Sequence, residues 1–275
     1  MSEHLVDLDR YFARTGYTGP RTPTLEALRA IARAHVETIP FENLDVVLGR
    51  GVDLALPAVE RKLVDHRRGG YCFEHNSLLL AVLTQLGFTA TPLGGRVLMR
   101  RPRTYTPART HLFLRVDLDE PWLVDVGFGA ASLATALRLA TEEPQATPHE
   151  ARRLVRDGGL LYNQIQYPGD PTWHDMYVSD LAEMPAIDRE VGNWFTSTHP
   201  SSHFKQQLIA ARAFSRGGET GRITLENREL TIRHLDGRAE RHTIASPDEL
   251  LAVLAEQFGL ELPPGTRFAC PTLTW

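Results

Sequence analysis

The chain has little cysteine and no long apolar run. Only Cys72 and Cys270 occur in 275 residues, too few for the disulfide framework of a secreted protein. No stretch approaches the roughly eighteen apolar residues that a membrane-spanning helix needs. The N-terminal MSEHLVDLDR carries acids where a secretion signal needs a basic segment and an apolar run. A cytoplasmic protein with two free thiols is expected. Strong charge of either sign is also missing: 30 Lys and Arg face 34 Asp and Glu, a formal net charge of -4. That balance offers no general attraction to nucleic acid or to an anionic membrane, and arginines cluster only locally, at 67–68 and 100–103. There is no internal repeat, no low-complexity linker, no G-x-S-x-G, no Walker loop and no H-E-x-x-H. The commonest serine hydrolase, nucleotide hydrolase and zinc protease readings are therefore excluded.

What remains has the composition of a folded globular chain, 42% hydrophobic and 23% charged. Its length implies two or three domain-sized units sharing one body. The first third reads helical. A segment with Leu5, Leu8 and Phe12 on one face stops near Gly16. Thr22 and Pro23 have the form of an N-cap and first-turn proline for a helix through Leu25, Leu28, Ile31 and Ala32 that ends before Pro40. A third helix opens at Pro57, and a fourth follows Gly69-Gly70 with Cys72 near its N-terminus, Leu79, Leu80, Leu83 and Leu86 in period, and Gly87 as its C-cap.

From Thr89 the pattern changes to short β runs: GGRVLM, HLFLRVDL, PWLVDVGF, ARRLV, LLYNQIQY and TWHDMYV, spaced as in an antiparallel sheet or small barrel. A short helix around 188–195 leads into STHPSSHF. Strands then follow in QLIAARAF, GRITLEN, ELTIRHL and AERHTIA. The last helix is marked by the cap Ser246, Pro247 and the capping-box Glu249, and it ends at Phe258-Gly259. The order is helices, a β unit, then a smaller mixed unit.

A thiolate rather than a thiol is nucleophilic, and Cys72 sits where negative charge would be favoured. A helix N-terminus, Arg67 and Arg68, and flanking glycines surround it in RRGGYCFEHN. A half-buried cysteine capping a core helix fits the same spacing. Cys72 and His75 are three apart, as metal ligands often are, but no second Cys/His pair accompanies them. No metal is expected. His75 reads as a packed, hydrogen-bonding histidine, and Cys270 as a small apolar filler.

A nucleophilic cysteine needs a base and something to orient the base. His111 opens the otherwise apolar strand HLFLRVDL. Asp125 lies among Leu123, Val124 and Val126, where an unpaired carboxylate would be costly. A hairpin turning near 118–120 brings the two within a few positions of each other, completing a Cys-His-Asp set with Cys72. Gly127-Phe128-Gly129 could offer backbone N–H groups to a phosphate, although as a dinucleotide fingerprint it is weak, with Ser132 at the third small position. IPFENLDV, residues 39–46, reads as a connection between helices.

IPFENLD at 39–45, RRGGYCFEHN at 67–76, the histidine of RTHLFLRV, LVDVGFG at 123–129 and STHPSSHF at 197–204 resemble the arylamine N-acetyltransferases of prokaryotic type, in family order over most of the chain. The resemblance implies an α+β fold in three parts with a cysteine-protease- or transglutaminase-like catalytic core. These parts would be a helical bundle carrying the nucleophile (1–88), an antiparallel β-barrel carrying His and Asp (89–200) and an α/β lid (201–275). It implies Cys72, His111 and Asp125 as the catalytic triad, acetyl-coenzyme A as donor, and a small aromatic amine, hydroxylamine or hydrazine as acceptor in a ping-pong reaction. Coenzyme phosphates would lie near Gly127, Phe128 and Gly129, and Phe41, Phe128 and Phe204 would line the acceptor pocket. Amide-forming relatives that close macrolactams, and a cysteine hydrolase using the same triad, stay open.

Overall fold

A computed structural model describes residues 4–275. Leu8–Thr15 (α1) is capped by Asp7, whose carboxylate accepts from the Arg10 N–H, and is closed by Gly16 in the left-handed conformation. Leu25–Thr38 (α2) begins two residues later than the Thr22-Pro23 signal implies. Thr24 is the cap, its hydroxyl accepting from the Ala27 N–H, so Pro23 stands before the helix rather than in its first turn. A two-residue strand Phe41–Glu42 (β1), the short helices Leu44–Val47 (α3) and Leu56–Glu60 (α4), and a π-helical turn Arg61–Asp65 precede Cys72–Gln85 (α5). Leu86 is the C-cap of α5, and Gly87, at φ +87°, takes the position after it.

Thr89–Val97 (β2), His111–Asp117 (β3), Pro121–Val124 (β4), Leu137–Arg138 (β5), Ala151–Asp157 (β6), Leu160–Gln166 (β7) and Trp173–Ser179 (β8) form one antiparallel sheet in the order β5-β4-β3-β2-β8-β7-β6. Each of the seven strands sends a side chain into one shared interior: Leu137, Leu123, Phe113, Leu93, Tyr177, Ile165 and Leu154. Because the two edge strands meet in that interior, the sheet is curled into a nearly closed barrel. The other face of β3 and β4, through Leu114, Val116, Trp122 and Val124, packs on the helices around Leu28, Ile31, Leu79 and Leu83. Buried on both faces, β3 loses the apolar–polar alternation of a half-exposed strand.

Ala186–Thr198 (α6) and His203–Gln206 (α7) lead to Ile209–Arg216 (β9), Glu219–Glu226 (β10), Glu229–His234 (β11) and Ala239–Thr243 (β12), covered by Pro247–Phe258 (α8). The cap of α8 is Ser246, its C-cap Gly259, and Leu250, Leu254 and Phe258 pack against Ile223 and Leu225. The second sheet runs β1-β9-β10-β11-β12. The IPFENLDV segment is therefore more than a connection between helices. Phe41 pairs with Ala211 and Glu42 with Ala210, so it joins the helical part to the C-terminal sheet. Among the described residues no helix is long and apolar enough to cross a membrane.

Candidate active site

Cys72 is the first residue of α5 and is only 4% exposed. The N-terminus of α5 is fixed from below by charge. Glu74 accepts from the Tyr71 N–H at 3.0 Å and from Lys62 Nζ at 2.7 Å. Burial pushes the Glu74 carboxyl up despite the ammonium. Lys62 also meets Asp45 at 2.7 Å, and Arg68 meets Glu42 at 2.7 Å and Asp45 at 3.3 Å. The sequence reading that Arg67 and Arg68 bathe the thiol in positive charge is thereby revised. Arg68 is committed to two carboxylates, and Arg67 is exposed. The positive field at Cys72 comes from the unpaired N–H groups of the helix start and from the neighbouring imidazole.

That imidazole is His111. It lies opposite Gly95 in the β2–β3 pair, on the same face of β3 as Phe113. The β3–β4 register places Leu114 against Val124, so Asp125 emerges one residue later beside the His111 ring. His111 Nε2 lies 2.8 Å from Asp125 Oδ2, with both residues no more than 2% exposed. With Nε2 donating to the carboxylate, Nδ1 is left for a second partner, and the Cys72 side chain lies near enough to the ring to act on its charge. Burial opposes an imidazolium here, but the Asp125 carboxylate and the Cys72 sulfur outweigh it and raise His111 to about 10. The thiol also reaches the Thr110 carbonyl at 3.6 Å. A cysteine, a histidine and an aspartate from three separated segments thus meet in one buried cluster.

The N-acetyltransferase family profile matches residues 24–267. The chain is 42% identical over 262 residues to an arylamine N-acetyltransferase of Mycolicibacterium smegmatis, covering 94% of this chain and 93% of that one. It is 40% identical over 254 residues to the arylamine N-acetyltransferase / N-hydroxyarylamine O-acetyltransferase of Salmonella typhimurium, covering 92% and 88%. The solved Mycobacterium marinum arylamine N-acetyltransferase in complex with CoA superposes with a TM-score of 0.86 at 40% identity, covering 92% of each chain. The chain belongs to the arylamine N-acetyltransferase family. It is thus an acyltransferase, and the surroundings of Cys72 can be read in that light.

Two residues beside Cys72 and His111 were missed by sequence reasoning. Asn76 donates from Nδ2 to the Leu112 carbonyl at 2.7 Å and to Asp125 Oδ1 at 3.1 Å, and its Oδ1 accepts from the Val126 N–H at 3.2 Å. It stands one helical turn after Cys72, and that i,i+4 spacing is the signal that would have found it. Tyr177 of β8 packs on His111 at 4.7 Å, accepts from Asn163 and faces Asp125. No spacing rule links it to the triad.

The expected ligand residues separate by role. Gly127 donates its N–H to Asp125 Oδ1 at 3.1 Å. That donor is thereby taken up by Asp125. Gly129, at φ +70°, begins the 3-10 turn Gly129–Ala131 against the Phe41 ring. Phe128 meets His111 edge-on at 4.9 Å. Phe41 and Phe204 lie 5.9 Å apart, and Phe204 is 5.7 Å from Tyr71. Phe41 and Phe204 thus pack in the same apolar cluster as Cys72, while Phe128 lies against His111. His75 is buried and hydrogen-bonded, and Cys270 packs in the C-terminal core with its thiol on the Gln206 carbonyl at 2.9 Å. Among the described residues no group of three or more His, Cys, Asp or Glu is arranged to hold a metal.

Proposed function

We propose that the protein moves an acetyl group from acetyl-coenzyme A to an aromatic amine, arylhydroxylamine or hydrazine through a thioester on Cys72. The observation that carries this reading is the buried His111–Asp125 pair at 2.8 Å, with Cys72 beside the ring and the imidazole held positive by the carboxylate. The nucleophile of this reaction is Cys72. Its sulfur attacks the thioester carbonyl, forming an S–C bond. The coenzyme thiol then leaves, carrying the proton from His111. The acceptor nitrogen attacks the acyl-enzyme, its proton passes to His111, and the C–S bond to Cys72 breaks. Asp125 holds the ring by Nε2 and stabilises its charge without itself taking the proton. The N–H groups of Cys72 and Phe73, first in α5 and without intrahelical acceptors, are the donors for the oxyanion. The CoA-bound solved relative supports the donor, and the name of the Salmonella relative supports the acceptor class.

Intact mass after brief mixing with acetyl-coenzyme A, on the native protein and on Cys72→Ala, tests this. One acetyl group on the native chain alone, discharged faster by an aromatic amine than by water, is the expected result. Absence of an adduct, or discharge at the same rate with and without amine, would overturn it and favour a hydrolase.

A further inference from the structure

Beneath the site three buried side chains form a hydrogen-bonded chain with one direction. The Tyr11 hydroxyl and His35 Nδ1 are 2.9 Å apart, His35 Nε2 and His75 Nδ1 are 2.8 Å apart, and His75 Nε2 lies 3.2 Å from the Pro40 carbonyl oxygen. A carbonyl only accepts, so His75 carries its proton on Nε2 and accepts on Nδ1. His35 must then donate from Nε2 and accept on Nδ1, and Tyr11 must donate to it. All three side chains are fully buried, so each polar atom depends on its neighbour. Burial pushes His75 down to about 4 and His35 well below its ordinary value, keeping both rings neutral, as this arrangement requires.

The chain ends at the backbone that carries Phe41. Pro40 accepts from His75, and the next residue lays its ring parallel to the His75 imidazole, at 6.3 Å and 7°. The opposite side of Pro40 is crowded: a β-carbon at Gly69 would lie 1.9 Å from the same carbonyl oxygen. His75 is thus both a hydrogen-bonding peg for Pro40 and a flat rest for Phe41. The contacts of the thiol, to His111 and the Thr110 carbonyl, do not pass through the His75 ring.

We propose that His75, braced by His35 and Tyr11, is a positioning residue for the aromatic-acceptor side of the site, setting the place and tilt of Phe41 without tuning Cys72. The inference rests on the acetyl-transfer reading above and assigns a specificity role within it. Leucine at 75 would leave the His35 N–H without a partner and take the imidazole donor away from the Pro40 oxygen. Glutamine can donate to the first and accept from the second.

The two half-reactions are to be measured separately on the native protein, His75→Leu, His75→Gln and Tyr11→Phe. Acyl-enzyme formation from acetyl-coenzyme A is expected to change by no more than about twofold. The KM for an aromatic amine is expected to rise about tenfold in His75→Leu and roughly two- to threefold in Tyr11→Phe, with recovery in His75→Gln. Hydrazine itself, which needs no ring wall, should discharge the acyl-enzyme at the native rate. Equal slowing of both half-reactions, or an unchanged amine KM, would overturn the proposal. If His75→Leu does not fold, Tyr11→Phe and His75→Gln decide by the same two readouts. Failure of the native protein to form any acyl-enzyme would instead sink the acetyl-transfer reading, and this inference with it.

Discussion

Gly127 lies so close to Cys72 that a β-carbon at residue 127 would come within 2.7 Å of the Cys72 Cα, and equally close to Asn76 Nδ2. The obstructing atom is backbone, so it cannot swing aside. Gly127→Ala must therefore push the start of α5 away from the segment that carries Asp125. A misplacement of about 1 Å costs on the order of 100-fold in rate. We expect a loss of that size in the Cys72 acylation rate, followed by intact mass, in a protein whose far-ultraviolet circular dichroism is unchanged.

Asn76→Ala strips a donor from Asp125 Oδ1 and leaves the Leu112 carbonyl and the Val126 N–H unpartnered in the interior. Each unsatisfied buried group costs about 1–3 kcal/mol. Urea unfolding should show a loss of at least the lower figure. A midpoint equal to the native one would show that Asn76 holds nothing in place.

Glu42 is 1% exposed and takes its countercharge from Arg68. Arg68→Met leaves that carboxylate buried and unpaired, at a cost of about 3–5 kcal/mol. Adding Glu42→Gln removes the stranded charge and should recover part of the loss. A double variant no more stable than the single one would show that the ion pair is not the source.

Stability should peak near pH 6.5 and fall on both sides. His111 is raised to about 10 in the folded state from an ordinary 6.5, so its contribution is complete below about 6.5 and is lost as pH rises through 10. His75 and His149 are lowered to about 4, so their folded, neutral forms cost nothing above 6.5 and stability falls as pH drops from there through 4. Burial is the largest cause for both histidines. Thermal midpoints across this range test the shape. Asp125→Asn should flatten the alkaline limb, and His75→Gln the acid limb.

Elements whose signals lie within a few residues were legible in the sequence. Ser246, Pro247, Glu249 and Gly259 bound α8 where the cap chemistry puts them, because an N-cap hydroxyl reaches only two or three residues ahead. The β3–β4 hairpin was legible for the same reason: a short turn sets its register, and His111 and Asp125 come together as the spacing requires. The two-residue strands β1 and β5 were not. Two residues carry no periodicity, and only a partner far along the chain makes them strands.

Local sequence pattern was enough to pick out the residues proposed for the chemistry: a cysteine at a helix start, a histidine in an apolar strand and an acid beyond the next turn. The partner of each charge was settled by packing in three dimensions. Arg68 is adjacent to Gly69 in the chain, yet its guanidinium serves Glu42, 26 residues away, and not the thiol. Gly127 stands in a glycine-rich turn whose sequence names no partner, and its N–H holds Asp125. The physical reason is common to both. A buried donor or charge must find a partner wherever packing brings one, and that choice is made in space, between segments whose separation along the chain carries no local signal.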